Sequence, residues 1–412
     1  MPKSVLIIGA GIIGISAALE LQSKGFHVRV LDRKGVAAET SQGNAGAFAF
    51  SEVTPLATPG ILRQAPKWLF DPLGPLSIPP RYAAQIAPWM YRFWRASRAR
   101  RFGAARAAQT ALMTLAQAAT ERQIKLVQGE DLIRRDGQLR LYDDPRQWQA
   151  DQSQRAFLQE HGVLAHELLS TNDIAEIQPG LNPRFTHALY TPNWMNTVDP
   201  KTWTERLAQK FLSLGGVIDQ TDVKALTRMG GKTRLETSQG PQSASTIILA
   251  AGAWSHSLAK GLGDAIPLET ERGYNTTLPQ GAFDLRTHLT FAAHGFVASR
   301  IQNGVRIGGA VELGGLELPP NFTRADALLH KAQDFMPDLN PQGGQQWMGY
   351  RPSLPDSLPV IDYAPNAPNV IYAFGHGHLG LTQAAATAEI IANLVSHAPP
   401  PIDLTPFSAN RF

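Results

Sequence analysis

Three glycines and one aspartate near the amino terminus have the spacing of a dinucleotide-binding motif. Gly9, Gly11 and Gly14 follow a short apolar run, and Asp32 stands about 20 residues further along the chain. The first glycine permits a tight turn, the second lets backbone amides approach a pyrophosphate, and the third lets helix and strand pack closely. An aspartate can bind a ribose hydroxyl and repels a 2′-phosphate, so the pattern favours FAD or NAD over NADP.

The elements that must position these residues are also predicted. Residues 4–8 form an apolar run typical of a buried strand, and residues 15–24 carry apolar side chains at helical spacing. Residues 26–31 predict a second strand, which ends at Asp32. A helix that begins directly after the glycines directs its positive end at a bound phosphate. The complete strand, turn, helix and acid predict nucleotide binding, whereas an isolated glycine motif would be weak evidence.

Six further segments carry recognisable residues in a fixed order. They are Ser41-Gln42-Gly43-Asn44-Ala45-Gly46, Val198-Asp199-Pro200, the strand near Val223-Lys224-Ala225-Leu226, Ala250-Ala251-Gly252-Ala253-Trp254, Gly349-Tyr350-Arg351-Pro352, and Gly375-His376-Gly377-His378-Leu379-Gly380. Composition alone would make the first of them a surface loop. Together they resemble the D-amino-acid oxidase superfamily of FAD-dependent oxidoreductases, in its D-amino-acid dehydrogenase and glycine oxidase-like branch.

The resemblance implies an α/β (α+β) fold, in which a Rossmann-like FAD-binding domain interleaves with a substrate domain built on an antiparallel sheet. We assign residues 1–50, 197–262 and 344–412 to the FAD-binding domain, and residues 51–196 and 263–343 to the substrate domain. Strand patterns at 138–142, 188–191, 291–299 and 305–312 predict the antiparallel sheet, and helices are predicted at 83–127, 146–161 and 201–214.

The resemblance also implies which residues bind non-covalent FAD. These are Gly9, Gly11, Ile13, Gly14, Asp32, Arg33, Ser41, Asn44, Gly46, Val223, Gly252, Trp254, Gly375, His376, Gly380 and Thr382. The absence of cysteine excludes a flavin tether through sulfur, a disulfide framework and a cysteine nucleophile.

Four residues are expected at the reacting centre. In the resembled family the arginine of the Gly-x-Arg-Pro segment binds the substrate carboxylate, and here it is Arg351. A planar guanidinium suits this role because it binds a carboxylate through two parallel hydrogen bonds. Tyr274 is expected to donate a further hydrogen bond, and Arg272 to reach the carboxylate or the flavin, with a packing role as the alternative for both. His378 and Tyr350 are expected to line the pocket, where they differ from the smaller side chains of many relatives.

The expected reaction is oxidative deamination of a small amino acid, with a D-amino acid as the leading candidate. Hydride transfer from Cα to flavin N5 would give an imino acid, which water hydrolyses to a 2-oxo acid and ammonia. No dedicated base is predicted, because burial beside Arg351 would lower the pKa of the ammonium group. D-hydroxyproline dehydrogenase, glycine or sarcosine oxidase, a non-catalytic flavin-binding subunit and an NAD-dependent dehydrogenase are the alternatives. The electron acceptor would be oxygen or a quinone.

Composition narrows the remaining possibilities. The net charge of +4 gives no indication of nucleic-acid binding. His376 and His378 invite a metal site, but no third ligand stands near them, so no metal is predicted. The amino terminus lacks the pattern of a signal peptide, so a cytoplasmic location is expected.

One segment points to an additional partner. Residues 81–106 contain seven arginines and no acidic residue, and aromatic residues alternate with the arginines at helical spacing. A basic helix of this kind can lie on the anionic inner face of a membrane. The alternative is a surface helix with its aromatic residues turned inward and its arginines solvated.

Overall fold

The computed structural model describes residues 4–61, 76–230, 232–302 and 304–412. Residues 62–75, part of the predicted substrate domain, lie outside the described residues. The described strands are β1 (Ser4–Ile8), β2 (His27–Asp32), β3 (Ala47–Phe48), β4 (Leu76–Ser77), β5 (Ile133–Arg134), β6 (Gln138–Tyr142), β7 (His166–Leu168), β8 (His187–Thr191), β9 (Met195–Thr197), β10 (Val217–Gln220), β11 (Val223–Met229), β12 (Lys232–Thr237), β13 (Gly240–Ser243), β14 (Thr246–Leu249), β15 (Glu269–Leu278), β16 (His288–Phe291), β17 (Phe296–Ile301), β18 (Gly304–Leu313), β19 (Gln345–Ser353), β20 (Val360–Ala364) and β21 (Ala367–Phe374).

The α-helices of the described chain are α1 (Ile12–Ser23), α2 (Ala83–Ala96), α3 (Ala99–Val127), α4 (Pro145–Ala150), α5 (Gln152–Glu160), α6 (Thr171–Ile177), α7 (Pro200–Ser213), α8 (Ser255–Lys260), α9 (Thr323–Phe335) and α10 (Gly380–Ser396). Two of the predicted helices are each divided in two. The range 83–127 breaks between α2 and α3, and the range 146–161 breaks between α4 and α5. No helix within the described ranges has both the length and the apolar character needed to cross a bilayer.

The first large sheet has the strand order β10-β2-β1-β14-β21-β20. Its strands pair in parallel, except that β20 runs antiparallel to β21. Residues Val5–Ile8 of β1 are buried because both faces of the sheet are covered, one by helices and the other by α8 with β11 and β12, which explains the continuous apolar run in the sequence. Helices α1, α7 and α10 contribute to the same apolar core as β1. This sheet is the predicted Rossmann-like half.

The second large sheet has the order β19-β15-β18-β17-β16-β6-β8-β7. Its pairs are antiparallel except that β16 runs parallel to β6, and β4 joins β18 in parallel. One face packs against α9, with Leu139, Phe291, Ile307 and Phe335 in a shared apolar cluster. The alternation of apolar and polar residues along these strands is typical of a sheet with one apolar face.

The fold class predicted from the sequence is confirmed, while the assignment of one strand differs. Strand β19 belongs to the second sheet, where it pairs with β15, so the boundary proposed at residue 344 falls on the wrong side of this strand. The Gly-Tyr-Arg-Pro segment therefore forms part of the substrate half. Two three-stranded sheets, β11-β12-β13 and β3-β9-β5, complete the strand pairing of the described chain.

Candidate active site

A single cavity of about 690 Å³ extends from the carboxyl ends of β1 and β2 to the second sheet. Twelve of the predicted cofactor residues line it: Gly9, Gly11, Ile13, Asp32, Arg33, Ser41, Asn44, Val223, Gly252, Trp254, His376 and Gly380. The other four, Gly14, Gly46, Gly375 and Thr382, are not among the lining residues. The Thr382 hydroxyl accepts a hydrogen bond from the amide of Ala49, a lining residue, at 2.9 Å.

The nucleotide end is built by the glycine turn between β1 and α1. Gly9 has φ +109°, and a Cβ at this position would overlap the Ala250 carbonyl. A Cβ at Gly14 would overlap the Gly9 carbonyl oxygen, so α1 can approach the turn only with glycine there. The Ser41 hydroxyl accepts a hydrogen bond from the Ile12 amide at 3.0 Å, at the beginning of α1. Amides and a hydroxyl thus meet at the positive end of a helix, which suits a phosphate.

Asp32 lies beside this turn at the end of β2. Its carboxylate accepts hydrogen bonds from the backbone amides of Ala10 at 2.8 Å, Lys34 at 2.7 Å and Gly35 at 2.9 Å. The neighbouring Arg33 lies over the Trp254 ring at 4.0 Å. These contacts fix the acid and the aromatic ring in the cavity wall.

The loop at residues 40–46 connects the two halves of the molecule. Gly46 has φ +71°, and its amide donates to the Asn44 side-chain oxygen at 2.8 Å. From the second sheet, Asn275 donates to the Gly43 carbonyl at 2.8 Å and Arg306 donates to the Asn44 carbonyl at 2.7 Å. Burial lowers the pKa of Arg306 to about 10. The loop is therefore held by side chains from the substrate half.

The turn before α10 closes another side of the cavity. Gly375 and Gly377 have φ of +88° and +55°, which places the His376 and His378 side chains in the wall. The His376 ring bonds the Thr387 hydroxyl at 3.0 Å, and burial lowers the pKa of His376 to about 3. The His378 side chain is exposed, and desolvation by the surrounding protein together with the charge of Arg351 lowers its pKa. Both imidazoles are therefore uncharged at neutral pH. Within the described part of the chain, no group of three His, Cys, Asp or Glu could hold a metal.

Arg351 lies on β19, on the face of the second sheet that lines the cavity. It pairs across the strands with Glu271 of β15, and burial lowers the pKa of Arg351 while the Glu271 charge raises it. A Cβ at Gly273 would overlap the guanidinium, so Arg351 lies directly over a glycine. Its Nη1 donates to the Ala310 carbonyl at 3.1 Å. The other guanidinium donors have no hydrogen-bond partner among the described residues and are available to a carboxylate in the cavity.

Arg272 and Tyr274 point to the opposite side of β15. Successive side chains of a strand alternate between its two faces, so these two lie on the face away from Glu271 and Gly273. Arg272 bonds the Glu312 carboxylate at 3.0 Å and the carbonyls of Gly315 and Leu318 at 2.8 and 2.6 Å. Arg272 does not line the cavity. Tyr274 contributes to the cavity wall, but its hydroxyl donates to Glu312 at 3.1 Å.

Tyr350 also lies outside the cavity lining, although it was predicted there. Its ring contacts Trp254 edge-on at 5.8 Å, and its carbonyl accepts a hydrogen bond from the Thr40 hydroxyl at 2.7 Å. The same alternation explains this position, because Tyr350 immediately precedes the inward-facing Arg351.

A family model described as FAD dependent oxidoreductase, DAO, matches residues 4–394. The chain belongs to this DAO family. A D-amino-acid oxidase of Bradyrhizobium diazoefficiens is 32% identical, over 100% of this chain and 99% of the relative. A D-amino acid dehydrogenase of Allorhizobium ampelinum is 31% identical, over 99% of this chain and 98% of the relative. The crystal structure of glycine oxidase from Geobacillus kaustophilus superposes with a TM-score of 0.79 at 19% identity, covering 99% of this chain and 98% of that one, and shows the shared fold.

Membership of the DAO family makes FAD the cofactor, and the residues present fit it. The glycine turn leaves room that a Cβ at Gly9 would fill, and the Ser41 hydroxyl stands at the beginning of α1. Asp32 at the end of β2 is the acidic position expected for a ribose. Asp32 at the nucleotide end and Arg351 on the second sheet line the same cavity.

Several cavity residues were not predicted from the sequence. They are Glu52, Arg140, Glu271, Asn275, His288 and Arg306. All but Glu52 lie on strands of the second sheet. Arg140 and Arg306 each stand between two apolar residues, and that alternation was the available signal for these two. In the Glu271-Arg272-Gly273-Tyr274 segment, side-chain chemistry drew the prediction to Arg272 and Tyr274, whereas Glu271, Gly273 and Tyr274 line the cavity.

Proposed function

We propose that this DAO family protein catalyses oxidative deamination of a small amino acid, with D-amino acids as the leading substrate class. The names of the full-length relatives, D-amino-acid oxidase and D-amino acid dehydrogenase, support this proposal. FAD, when bound, supplies the acceptor for the hydride that leaves Cα. The imino acid that results would be hydrolysed by water to a 2-oxo acid and ammonia.

The observation that carries the proposal is the environment of Arg351. A buried guanidinium with unused donors is a strong binding site for a carboxylate, because a charge-assisted pair is favoured where water is excluded. Gly273 lets this guanidinium lie flat on β15, and Ala310 fixes one of its nitrogens. The substrate carboxylate would thereby be held in one orientation, and orientation supplies much of the rate in such a reaction.

The charges around Arg351 suit an α-amino acid. Desolvation by the surrounding protein and the nearby guanidinium lower the pKa of His378, so it adds no second positive charge beside the substrate. The enclosed site next to Arg351 lowers the pKa of the substrate ammonium. This effect favours the uncharged amine, whose lone pair assists departure of the hydride.

Anaerobic mixing of the FAD-loaded protein with a substrate panel tests the proposal. D- and L-amino acids, glycine, sarcosine and D-hydroxyproline are compared by loss of flavin absorbance. Rapid bleaching by D-amino acids is the expected result. Faster bleaching by D-hydroxyproline, glycine or sarcosine would assign one of the alternatives, and no bleaching by any of them would favour a non-catalytic flavin protein.

We also propose that residues 81–106 form a contact surface for an anionic membrane. A quinone in that membrane could then accept the electrons from the reduced flavin. Trp89 packs inward, whereas Tyr91 and Trp94 are 57% and 37% exposed. Arg98 lies over the Trp94 ring at 4.7 Å, so cations and aromatic rings share one surface.

Sedimentation with vesicles tests this surface. Binding to vesicles containing phosphatidylglycerol, but not to vesicles of phosphatidylcholine alone, is expected, and Trp94→Ala should weaken it. Comparing reoxidation of the reduced flavin by air and by a soluble quinone then identifies the acceptor. Sedimentation of equal amounts of protein with both vesicle types, or of none with either type, would contradict the membrane contact.

A further inference from the structure

An α-amino acid brings two charges into the cavity, and Arg351 accounts for only one of them. This inference rests on the proposed function, because it concerns the same substrate at the same site. The ammonium group must lose a proton before the nitrogen lone pair can assist oxidation. A proton acceptor close to the bound carboxylate would make that loss easier, because the ammonium and the carboxylate are attached to the same carbon.

Five carboxyl groups line the cavity within the described chain: Asp32, Glu39, Glu52, Asp222 and Glu271. The first two serve the nucleotide end, where Asp32 bonds backbone amides and Glu39 bonds Arg33 at 2.8 Å. Asp222 precedes β11 at that same end. Glu52 pairs with Arg140 at 3.3 Å on β6, five strands away from β19.

Glu271 alone among these five lies next to Arg351. The two residues are direct partners in the pairing of β15 with β19, so their side chains share the cavity face. Glu271 is only 5% exposed. The hydrogen bond that Arg351 makes within the described chain goes to Ala310, so the guanidinium acts on Glu271 through its charge.

The surroundings of Glu271 favour uptake of a proton. Burial raises the pKa of Glu271, and the charge of Arg351 and the Ser353 hydroxyl act against that rise. The other titratable group near Arg351 is His378, whose side chain is exposed and whose pKa is lowered by desolvation and by the charge of Arg351. On the other side of β15, Glu271 pairs with the apolar Leu313 of β18. Burial therefore raises the proton affinity of the carboxylate while it lowers that of an adjacent ammonium.

We propose that Glu271 accepts a proton from the substrate ammonium while Arg351 holds the substrate carboxylate. One N–H bond breaks, its electron pair stays on nitrogen, and an O–H bond forms on the Glu271 carboxyl group. The step consumes no oxidant or reductant. Glu271 is thus a base for the reaction, at a site where the sequence predicted that no dedicated base is required.

A matched pair of probes separates this role from simple positioning of Arg351. 2-Aminoisobutyrate carries a carboxylate and an amine but no hydrogen on Cα, so it binds without being oxidised. Isobutyrate lacks the amine. Binding of each to the FAD-loaded protein is followed at pH 8 by the change in flavin absorbance, and calorimetry in buffers of different ionisation enthalpy counts the protons released.

With the wild-type protein, 2-aminoisobutyrate should bind with almost no proton released, because the proton moves to Glu271. In Glu271→Gln, the affinity for 2-aminoisobutyrate should fall roughly 10- to 100-fold, the range for a lost charge-assisted contact, or binding should release about one proton to the buffer. Isobutyrate should bind the variant as well as or better than wild type, because a negative charge beside Arg351 has been removed. With the wild-type protein, binding of 2-aminoisobutyrate should strengthen as the pH rises to the pKa of Glu271 and then level off. A glutamine variant that releases a proton should continue to gain affinity at higher pH.

Controls keep the outcomes distinct. Glu269→Gln removes a carboxylate two residues away on β15, outside the cavity lining, and should change neither probe. Glu271→Asp keeps a carboxyl group and should retain the wild-type proton count, which preserves the test if the glutamine variant fails to bind FAD. Equal weakening of both probes by Glu271→Gln, or an effect on neither, would overturn the role of Glu271. Failure of the wild-type protein to bind either probe would instead contradict the proposed function.

Discussion

Strand β15 separates two buried arginine–glutamate pairs, and their difference distinguishes a binding site from a structural anchor. On one face, Arg272 bonds Glu312 and two carbonyls of residues 315–318, so its donors are used within the protein. On the other face, Arg351 bonds one carbonyl and leaves donors directed at the cavity. Arg272 is fully buried and Arg351 is half-buried. The number of unused donors identifies the ligand-binding arginine more directly than this difference in burial.

The largest effect is expected from removing the arginine with unused donors. Arg351→Ala should lower kcat/KM for the best amino acid roughly 10³-fold or more, because the substrate loses its carboxylate contact and its orientation. FAD content and the thermal midpoint should stay close to wild type. Arg351→Lys keeps the charge without the planar fork and should recover only part of the activity. Anaerobic stopped-flow reduction measures this, and near-normal reduction of Arg351→Ala would remove the assigned role.

The anchored arginine should show the opposite pattern. Arg272→Ala leaves Glu312 buried without its partner, which should cost about 3–5 kcal/mol in the free energy of unfolding. The fraction that remains folded should reduce its flavin at close to the wild-type rate, because Arg272 does not line the cavity. Denaturant titration beside stopped-flow reduction tests both statements. A large loss of rate at unchanged stability would place Arg272 in the reaction after all.

A substitution at Gly273 should have a smaller effect, which is confined to the pair of Arg351 and Glu271. Gly273→Ala places a methyl group where the Arg351 guanidinium lies and should lower kcat/KM roughly 10- to 100-fold through misplacement of that group. In an Arg351→Ala background the same substitution should add little further loss, because the displaced group is already absent. Gly103→Ala, at a helix position with open space around it, serves as the control. Additive losses in the double variant would contradict a shared mechanism.

The smallest effect concerns a buried, neutral histidine beside this cavity. The pKa of His376 in the folded protein is about 3, below the ordinary value of about 6.5. As the pH falls below about 6.5 the unfolded chain binds a proton first, so His376 reduces stability progressively toward lower pH. His376→Asn should therefore flatten the fall of the thermal midpoint over that range. A midpoint that falls as steeply in the variant as in wild type would argue against this contribution.

The local elements were predictable from the sequence, whereas side-chain direction on the second sheet was not. The run of Ser4–Ile8, the glycine turn and Asp32 are short-range features, and each was found where its spacing indicated. Arg272 was predicted at the reacting centre from its chemistry, but it bonds Glu312 and does not line the cavity. Tyr274 lines the cavity, although its hydroxyl donates to Glu312. A bulge between Arg272 and Tyr274, with Ala310 at φ +54° opposite, further shifts the register with β18. Such an irregularity has no local signature in the sequence.

The sheet to which β19 belongs could also not be predicted from the sequence. Residues 345–353 directly precede β20 and β21 of the first sheet in chain order, but they form the edge of the other sheet. Pairing with β15 decides this, and strand pairing over long sequence separation is set by the whole fold rather than by neighbouring residues. The family resemblance identified Arg351 correctly as a cavity residue without placing its strand.

The loop at residues 40–46 links occupancy by the cofactor to alignment of the two halves. Asn275 and Arg306 hold this loop from the second sheet, while Ser41 within it meets the beginning of α1 in the first. When contacts with one sheet order the loop, the entropic cost of its contacts with the other sheet is therefore lower. Bound FAD should therefore hold the two halves together and raise both the cooperativity of unfolding and the thermal midpoint. Release of FAD should let the two halves unfold separately.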